Sequence, residues 1–265
     1  MSIANNNKLN VLITRPTKKA QALSSLLKEQ DIACVNQPLF DYQPLADRQT
    51  SESLLVNADI IIFVSVAAVE FADKAFSAKE WHSQYVIAVG KATTIALQQL
   101  GINTVICPTQ ENSEGLLTLP ILNKSLYNKS ITIVRGDGGR EHLATHLKES
   151  GANVNYLESY QRVWRVFAED IHKQWFKQQI NCIVVTSSAI LEKLVQLTVN
   201  TLNQRVASYW QNQCVWLVAS QRIANTAKQL GLTHVVISDG ASEQAITATL
   251  KQIKINNHIK RTLDL

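Results

Sequence analysis

Nowhere in these 265 residues do about eighteen apolar residues follow one another, the length a membrane-spanning helix needs. The first ten, MSIANNNKLN, hold no apolar run of the kind an export signal requires. The composition therefore reads as a soluble, cytoplasmic protein with no membrane partner. Cysteine is sparse: Cys34, Cys107, Cys182 and Cys214 lie far apart, three of them within Val/Ile-rich runs, and no CxxC pair occurs. That excludes a disulfide framework and a thiolate metal site, and makes them reduced core residues. The one glycine-rich loop, RGDGGRE from Arg135 to Glu141, has neither the GxGxxG spacing of dinucleotide sites nor the GK[ST] ending of a phosphate loop. His142 and His146 stand four apart on a helical stretch, but without HExxH they read as a solvated face. No GxSxG elbow is present either. No cofactor and no metal is expected, and covalent hydrolysis has no support.

Charge of one sign is also modest. Twenty-six Lys and Arg against twenty-one Asp and Glu give a net +5, compatible with an anionic ligand but far from a nucleic-acid-binding stripe. With 46% apolar residues the chain can bury a substantial core, and its length suits two α/β lobes.

What is present is a repeat. The first half returns in the second at an offset of about 120 to 130 residues. VLITRPTKKAQALSSLLKEQDIACV, from Val11, runs beside ITIVRGDGGREHLATHLKESGANVN, from Ile131, aligning Ile13 with Ile133 and Arg15 with Arg135. IIFVSVAAV from Ile61 faces CIVVTSSAI from Cys182, YVIAVGKATTIALQQLGINTVI from Tyr85 faces VWLVASQRIANTAKQLGLTHVV from Val215, and NSEGLLTLPIL from Asn112 faces ASEQAITATL from Ala241. Each half alternates short β-branched strands, such as 60–64, 131–134, 182–185 and 235–237, with helices of spaced Leu and Ala. That is the pattern of a parallel sheet covered on both faces. Gly101, Gly151 and Gly231 follow helical stretches, where a left-handed cap suits a residue without Cβ. Two segments stand outside this rhythm, 38–45 and 158–166. Both read as extended, Pro38 and Pro44 interrupting helix formation in the first, and both are candidate inter-lobe connections.

In such sheets ligands sit beyond the carboxyl ends of the strands, against helix N-termini. Ser65, Thr186 and Ser187, Thr93, Ser220, Ser113 and Ser242 all fall in loops of that kind, the last two before short helices. Each serine alone reads first as an N-cap worth about 1 kcal/mol to its helix. As a set they would line a two-sided cleft for a ligand bearing carboxylates. Arg135 and Arg140 offer forked donors to carboxylates, with Arg15 the repeat counterpart of Arg135, unless Arg140 pairs with a surface acid. Tyr160, opposite Phe40 in the repeat, carries a phenol that can donate to a departing oxygen or pack with its hydroxyl satisfied.

From VLITRP at Val11 to ASEQAI at Ala241 the chain resembles the uroporphyrinogen-III synthase family. The likeness rests on the order of FVSVAAV, AVGKATTIAL, NSEGLL, VRGDGGREHL, LESYQRV, VVTSSAI and LVASQRIANTAKQLG. Val66 stands where family members often have proline, and Ala219-Ser220-Gln221 lacks a GPT-like turn. The resemblance implies two Rossmann/flavodoxin-like parallel-sheet lobes from an internal duplication, joined by a two-stranded connection. Residues 1–37 with 167–265 would form one lobe and 46–157 the other. The implied activity is cofactor-free cyclisation of hydroxymethylbilane, a linear tetrapyrrole, to uroporphyrinogen III with inversion of ring D and loss of water. Tyr160 would assist departure of the hydroxyl, while Ser65, Thr93, Ser113, Thr186, Ser187, Ser220 and Ser242 match loop positions that touch the ligand. A monomer with a transient contact to the preceding enzyme is expected. The rival reading is a non-catalytic two-lobed binding protein for an anionic small molecule. A regulatory module is a third, but would call for acidic phospho-acceptor clusters or an exposed apolar patch.

Overall fold

The computed structural model describes residues 8–81, 83–138, 141–201 and 204–263, with side chains described as far as 256. Among these are eleven strands and eleven α-helices, alternating along the chain except where strand Ala33–Asn36 is followed by strand Phe40–Pro44 and helix Ser188–Thr198 by helix Gln204–Asn212. They begin with β1 (Asn10–Ile13), α1 (Thr17–Glu29), β2 (Ala33–Asn36), β3 (Phe40–Pro44), α2 (Arg48–Val56), β4 (Ile60–Phe63), α3 (Val66–Ala75), β5 (Tyr85–Ala88), α4 (Lys91–Gln99) and β6 (Val105–Ile106). There follow α5 (Ser113–Leu117), β7 (Ser130–Gly136), α6 (His142–Glu149), β8 (Asn153–Trp164), α7 (Ile171–Lys177), β9 (Cys182–Val185) and α8 (Ser188–Thr198). The chain closes with α9 (Gln204–Asn212), β10 (Val215–Val218), α10 (Gln221–Gln229), β11 (Val235–Ile237) and α11 (Glu243–Leu263). None of these helices is long and apolar enough to cross a membrane.

The chain divides into two compact units. One holds the residues up to Asp41 and those from Trp164 onward, the other Tyr42–Val163. In the first, the strand order is β11-β10-β9-β1-β2, all pairs parallel. In the second it is β8-β7-β4-β5-β6, again parallel. β3 lies outside β8, where Leu45 N–H donates to Ser159 O and Arg165 N–H to Leu39 O. One residue number rises as its partner's falls, so this outermost pair is antiparallel.

Parallel strands covered on both faces carry apolar side chains at every position, and β4 (IIIF) and β9 (CIVV) are buried throughout. Alternation then sorts them. Ile61 and Phe63 pack with Val69, Ala72 and Leu97 of α3 and α4, whereas Ile60 and Ile62 pack with Leu143 and Leu147 of α6. In the other unit Val11, Ile13, Cys182 and Val184 meet Leu23, Leu27, Ile246 and Leu250 of α1 and α11. Helix ends follow the glycine signal: Gly101, Gly151 and Gly231 have φ of 90°, 94° and 82°. Each is followed by an N–H that returns to an earlier helix carbonyl, as Ile102 does to Leu97.

The segment 158–166 is extended as far as Trp164, as the end of β8, which spans 12 residues from Asn153. Other expectations need correction. The helix after Ser242 is not short, since α11 has 21 residues with Ile246 and Leu250 in the core. Cys182 and Cys214 are buried, but Cys34 and Cys107 only half so. Burial pushes the Cys182 thiol up to about 12.

Candidate active site

Strand order dictates where a ligand can enter the Tyr42–Val163 unit. β4 and β7 are neighbours, yet the chain leaves β4 through α3 towards β5 and leaves β7 through α6 towards β8, on opposite sides. The two loops diverge and open a crevice beyond the carboxyl ends of the strands. A cavity of about 350 Å³ lies there. Ser65 beyond β4, Asn112 and Ser113 at the start of α5, Arg135 to Gly138 ending β7, and Tyr156, Tyr160 and Arg162 of β8 line it.

A bulge aims Tyr160. From Ser130 opposite Asn153 to Arg135 opposite Glu158 the register of β7 and β8 is regular, but Gly136 then pairs with Tyr160, leaving Ser159 as one extra residue. Strict alternation would turn Tyr160 to the face of Val154 and Tyr156. The extra residue turns it instead to the face of Leu157, where it joins the core against α3. Ser159 is buried, and its hydroxyl lies 3.3 Å from the carbonyls of both Ala68 and Arg135.

The Tyr160 ring is confined on several sides. Tyr42 meets it edge-on at 4.8 Å between centroids, and Phe71 of α3 lies at 5.6 Å. Gly136 permits the approach, since a Cβ there would fall 2.7 Å from Tyr160 Cζ. Only 8% of the residue is exposed, and its hydroxyl lies 3.3 Å from Ser65 Oγ. Ser65 in turn accepts the Ala68 N–H at 3.0 Å as N-cap of α3.

Arg135 is already engaged. It donates to Glu141 Oε1 at 3.0 Å and Glu158 Oε1 at 3.1 Å, and its guanidinium carbon sits 3.5 Å over the centre of the Tyr156 ring. Burial works against its charge, but the two carboxylates outweigh burial and raise its pKa. Tyr156 donates to Glu141 Oε2 at 2.5 Å, and burial first, then this bond, pushes its hydroxyl up to about 12. Glu141 is held below the usual carboxylate range by Tyr156 and then by Arg135. A substrate carboxylate reaching Arg135 therefore meets a fork that two protein carboxylates share.

Ser65, Ser113, Arg135 and Tyr160 thus converge on one cavity. Ser113 is the first residue of α5, and the cap is Asn112, which accepts the Gly115 N–H at 2.7 Å. Thr93 does not reach the cavity: it is 3% exposed, four residues before buried Leu97 on the inner face of α4. Arg140 lies outside the described residues. In the other unit Arg15 is buried with Nη1 2.9 Å from Glu243 Oε1, so its charge is met inside the protein and not by an open loop. There Ser187, Ser220 and Ser242 accept the N–H groups of Ile190, Ile223 and Ala245, as N-caps do, and Thr186 is half-buried beyond β9. His142 and His146 are exposed, and among the described residues no His, Cys, Asp and Glu group could hold a metal.

The cavity also presents residues that the sequence did not single out: Tyr156, Arg162, Asp137, Gly136 and Asn112. Tyr156, Tyr160 and Arg162 stand at even positions of one extended stretch, but the bulge at Ser159 breaks that parity, so alternation could not have grouped them. Gly136 carried no signal either, because a tight approach by a residue far along the chain leaves no local trace.

Comparison with known proteins finds relatives in sequence and in fold. Residues 21–248 match the family model for uroporphyrinogen-III synthase HemD. The uroporphyrinogen-III synthase of Salmonella typhimurium is 31% identical over 255 residues, covering 92% of this chain and 100% of that one. That of Escherichia coli is 30% identical with the same coverage. Among solved structures, a mutant uroporphyrinogen III synthase from Thermus thermophilus superposes with a TM-score of 0.62 over 95% of this chain and 99% of that one. The Helicobacter pylori uroporphyrinogen-III synthetase gives 0.58 over 92% and 99%. Both are 13% identical to this chain, a likeness of fold. The match of the family model across most of the length, together with relatives at 30% identity and above, establishes that this chain belongs to the uroporphyrinogen-III synthase family.

Proposed function

We propose that this chain is a cofactor-independent lyase that closes hydroxymethylbilane to uroporphyrinogen III, inverting ring D and releasing water, in haem biosynthesis. The observation that carries the reading is family membership over nearly the whole chain. In the first step the carbon–oxygen bond of the hydroxymethyl group breaks, and its electron pair leaves with the oxygen. That oxygen takes the Tyr160 phenol proton and departs as water, leaving an azafulvenium cation. The distal pyrrole attacks through its substituted carbon, and the spiro intermediate fragments and recloses. The proton lost from carbon on rearomatisation returns to the phenolate. Support for Tyr160 comes from its hydroxyl beside Ser65 in a cavity at the strand ends. The cavity's mixture of Arg135, Arg162, Ser65 and Ser113 suits a ligand with carboxylates on its rim, and Thr186, Ser187, Ser220 and Ser242 are read as further contacts. Because the bilane closes unaided to the uninverted isomer, orientation counts for more than a strong base.

We also read the chain as two flavodoxin-like lobes from one duplicated unit, 1–37 with 167–265 and 46–157, joined by a two-stranded connection of 38–45 and 158–166. Corresponding strand orders support this: β2-β1-β9-β10-β11 matches β8-β7-β4-β5-β6 in sequence alignment. A cytoplasmic monomer that takes its short-lived substrate in a transient contact with the preceding enzyme fits the same reading.

The test is product analysis with enzymatically made bilane. Predominant formation of the inverted isomer is the expected result. Formation of the uninverted isomer alone, at the rate seen without protein, would favour a non-catalytic binding protein.

A further inference from the structure

The Ser65 hydroxyl touches two groups, and its hydrogen-bonding capacity decides what Tyr160 can do. A hydroxyl has one proton and two lone pairs. One lone pair of Ser65 Oγ accepts the Ala68 N–H at 3.0 Å, so this oxygen is drawn into the N-terminus of α3, a helix of 10 residues. Between Ser65 Oγ and Tyr160 Oη, 3.3 Å apart, either atom can be the donor. If Tyr160 donates to Ser65, its proton is used up and the phenol meets the cavity only as an acceptor. If Ser65 donates to Tyr160, the phenol proton is left for a ligand.

The N-terminus of α3 favours the second arrangement. Its unpaired N–H groups place partial positive charge beside Ser65 Oγ, which weakens that oxygen as an acceptor and strengthens its O–H as a donor. The ring is confined by Tyr42, Phe71 and Gly136, so the phenol stays beside Ser65. We infer that Ser65 is a positioning residue that takes the polarity of the α3 N-terminus and donates its proton to Tyr160, so that the phenol proton points at the substrate oxygen. This goes beyond capping and beyond contact with the ligand, and it rests on the proposed role of Tyr160 as donor.

The test compares two variants that cap equally well. Asn and Asp rank together as N-caps, so Ser65→Asn and Ser65→Asp should both keep α3 in place. Asn retains an N–H donor for Tyr160, whereas an ionised Asp can only accept and would capture the phenol proton. The expected result is a kcat about 10- to 100-fold lower for Ser65→Asp than for Ser65→Asn. Circular dichroism and urea midpoints of the two variants should match.

Repeating both substitutions in a Tyr160→Phe background separates this inference from the reading beneath it. With no phenol to orient, the kcat difference between Asn and Asp should vanish. An unchanged difference would mean that Asp acts by charge on the substrate, and equal kcat in the wild-type background would reduce Ser65 to a cap; either overturns the inference. Failure of the underlying reading looks different, as Tyr160→Phe alone would then show the wild-type rate.

Discussion

Tyr160 lies flat against the place where Gly136 has no side chain: a methyl group there would come within 2.7 Å of Cζ and 3.0 Å of the hydroxyl oxygen. The two residues pair across β7 and β8 just past the bulge, so the glycine's missing Cβ and the extra residue of β8 together seat the phenol. Gly136→Ala should push the ring aside. We expect slower closure and a product mixture shifted towards the uninverted isomer, with overpacking costing roughly 1–3 kcal/mol of stability. Isomer counts and urea titrations measure the two effects separately, and a variant with native rate and isomer ratio would show that the phenol's position is immaterial.

Removing the hydroxyl alone is the more direct probe. Tyr160→Phe keeps the contacts with Tyr42 and Phe71 but loses the donor, and closure should slow on the order of 10- to 1,000-fold. Product affinity should change little. A folded variant with wild-type rate would leave the tyrosine a packing residue.

Ser220 tests the plain reading of the loop serines. Its hydroxyl caps α10 through the Ile223 N–H. Ser220→Ala should lose about 1 kcal/mol on chemical denaturation, and product affinity should fall several-fold at most. A drop in affinity beyond a hundredfold, with stability intact, would make Ser220 a principal ligand contact.

His172 of α7 supplies a pH dependence. It is 4% exposed, and burial, followed by the charge of Lys173, lowers its pKa from the ordinary value of 6.5. The unfolded chain therefore binds a proton at higher pH than the folded one. Stability tied to this residue is complete above about pH 6.5 and is lost as pH falls below it. The urea midpoint should drop between about pH 7.5 and 5.5 in the native protein and drop less in His172→Leu. An equal drop in both would assign the acid sensitivity to other groups.

Much of the fold is legible without coordinates because its signals are local. The runs at β4 and β9 are apolar throughout because strands covered on both faces leave no position for water, and that needs no partner to read. Gly101, Gly151 and Gly231 mark helix ends because their left-handed backbone conformation disfavours a Cβ. Loops rich in hydroxyls at strand ends are also readable, as Ser65 and Ser113 show, although that reading also took in Thr93, which turns inward on α4.

The sequence by itself determined the alternation of strands and helices, the family and the segment in which Tyr160 stands. Tertiary structure alone decided which way Tyr160 faces, because the bulge at Ser159 exists only in the register between β7 and β8 and inverts the parity that alternation assigns. It also decided that Arg15 meets Glu243 and that Arg135 meets Glu158 across β7 and β8. Periodicity reports how one segment meets its surroundings. A charge finds its partner through the approach of segments distant in the chain, and that approach is set by how the sheets are assembled.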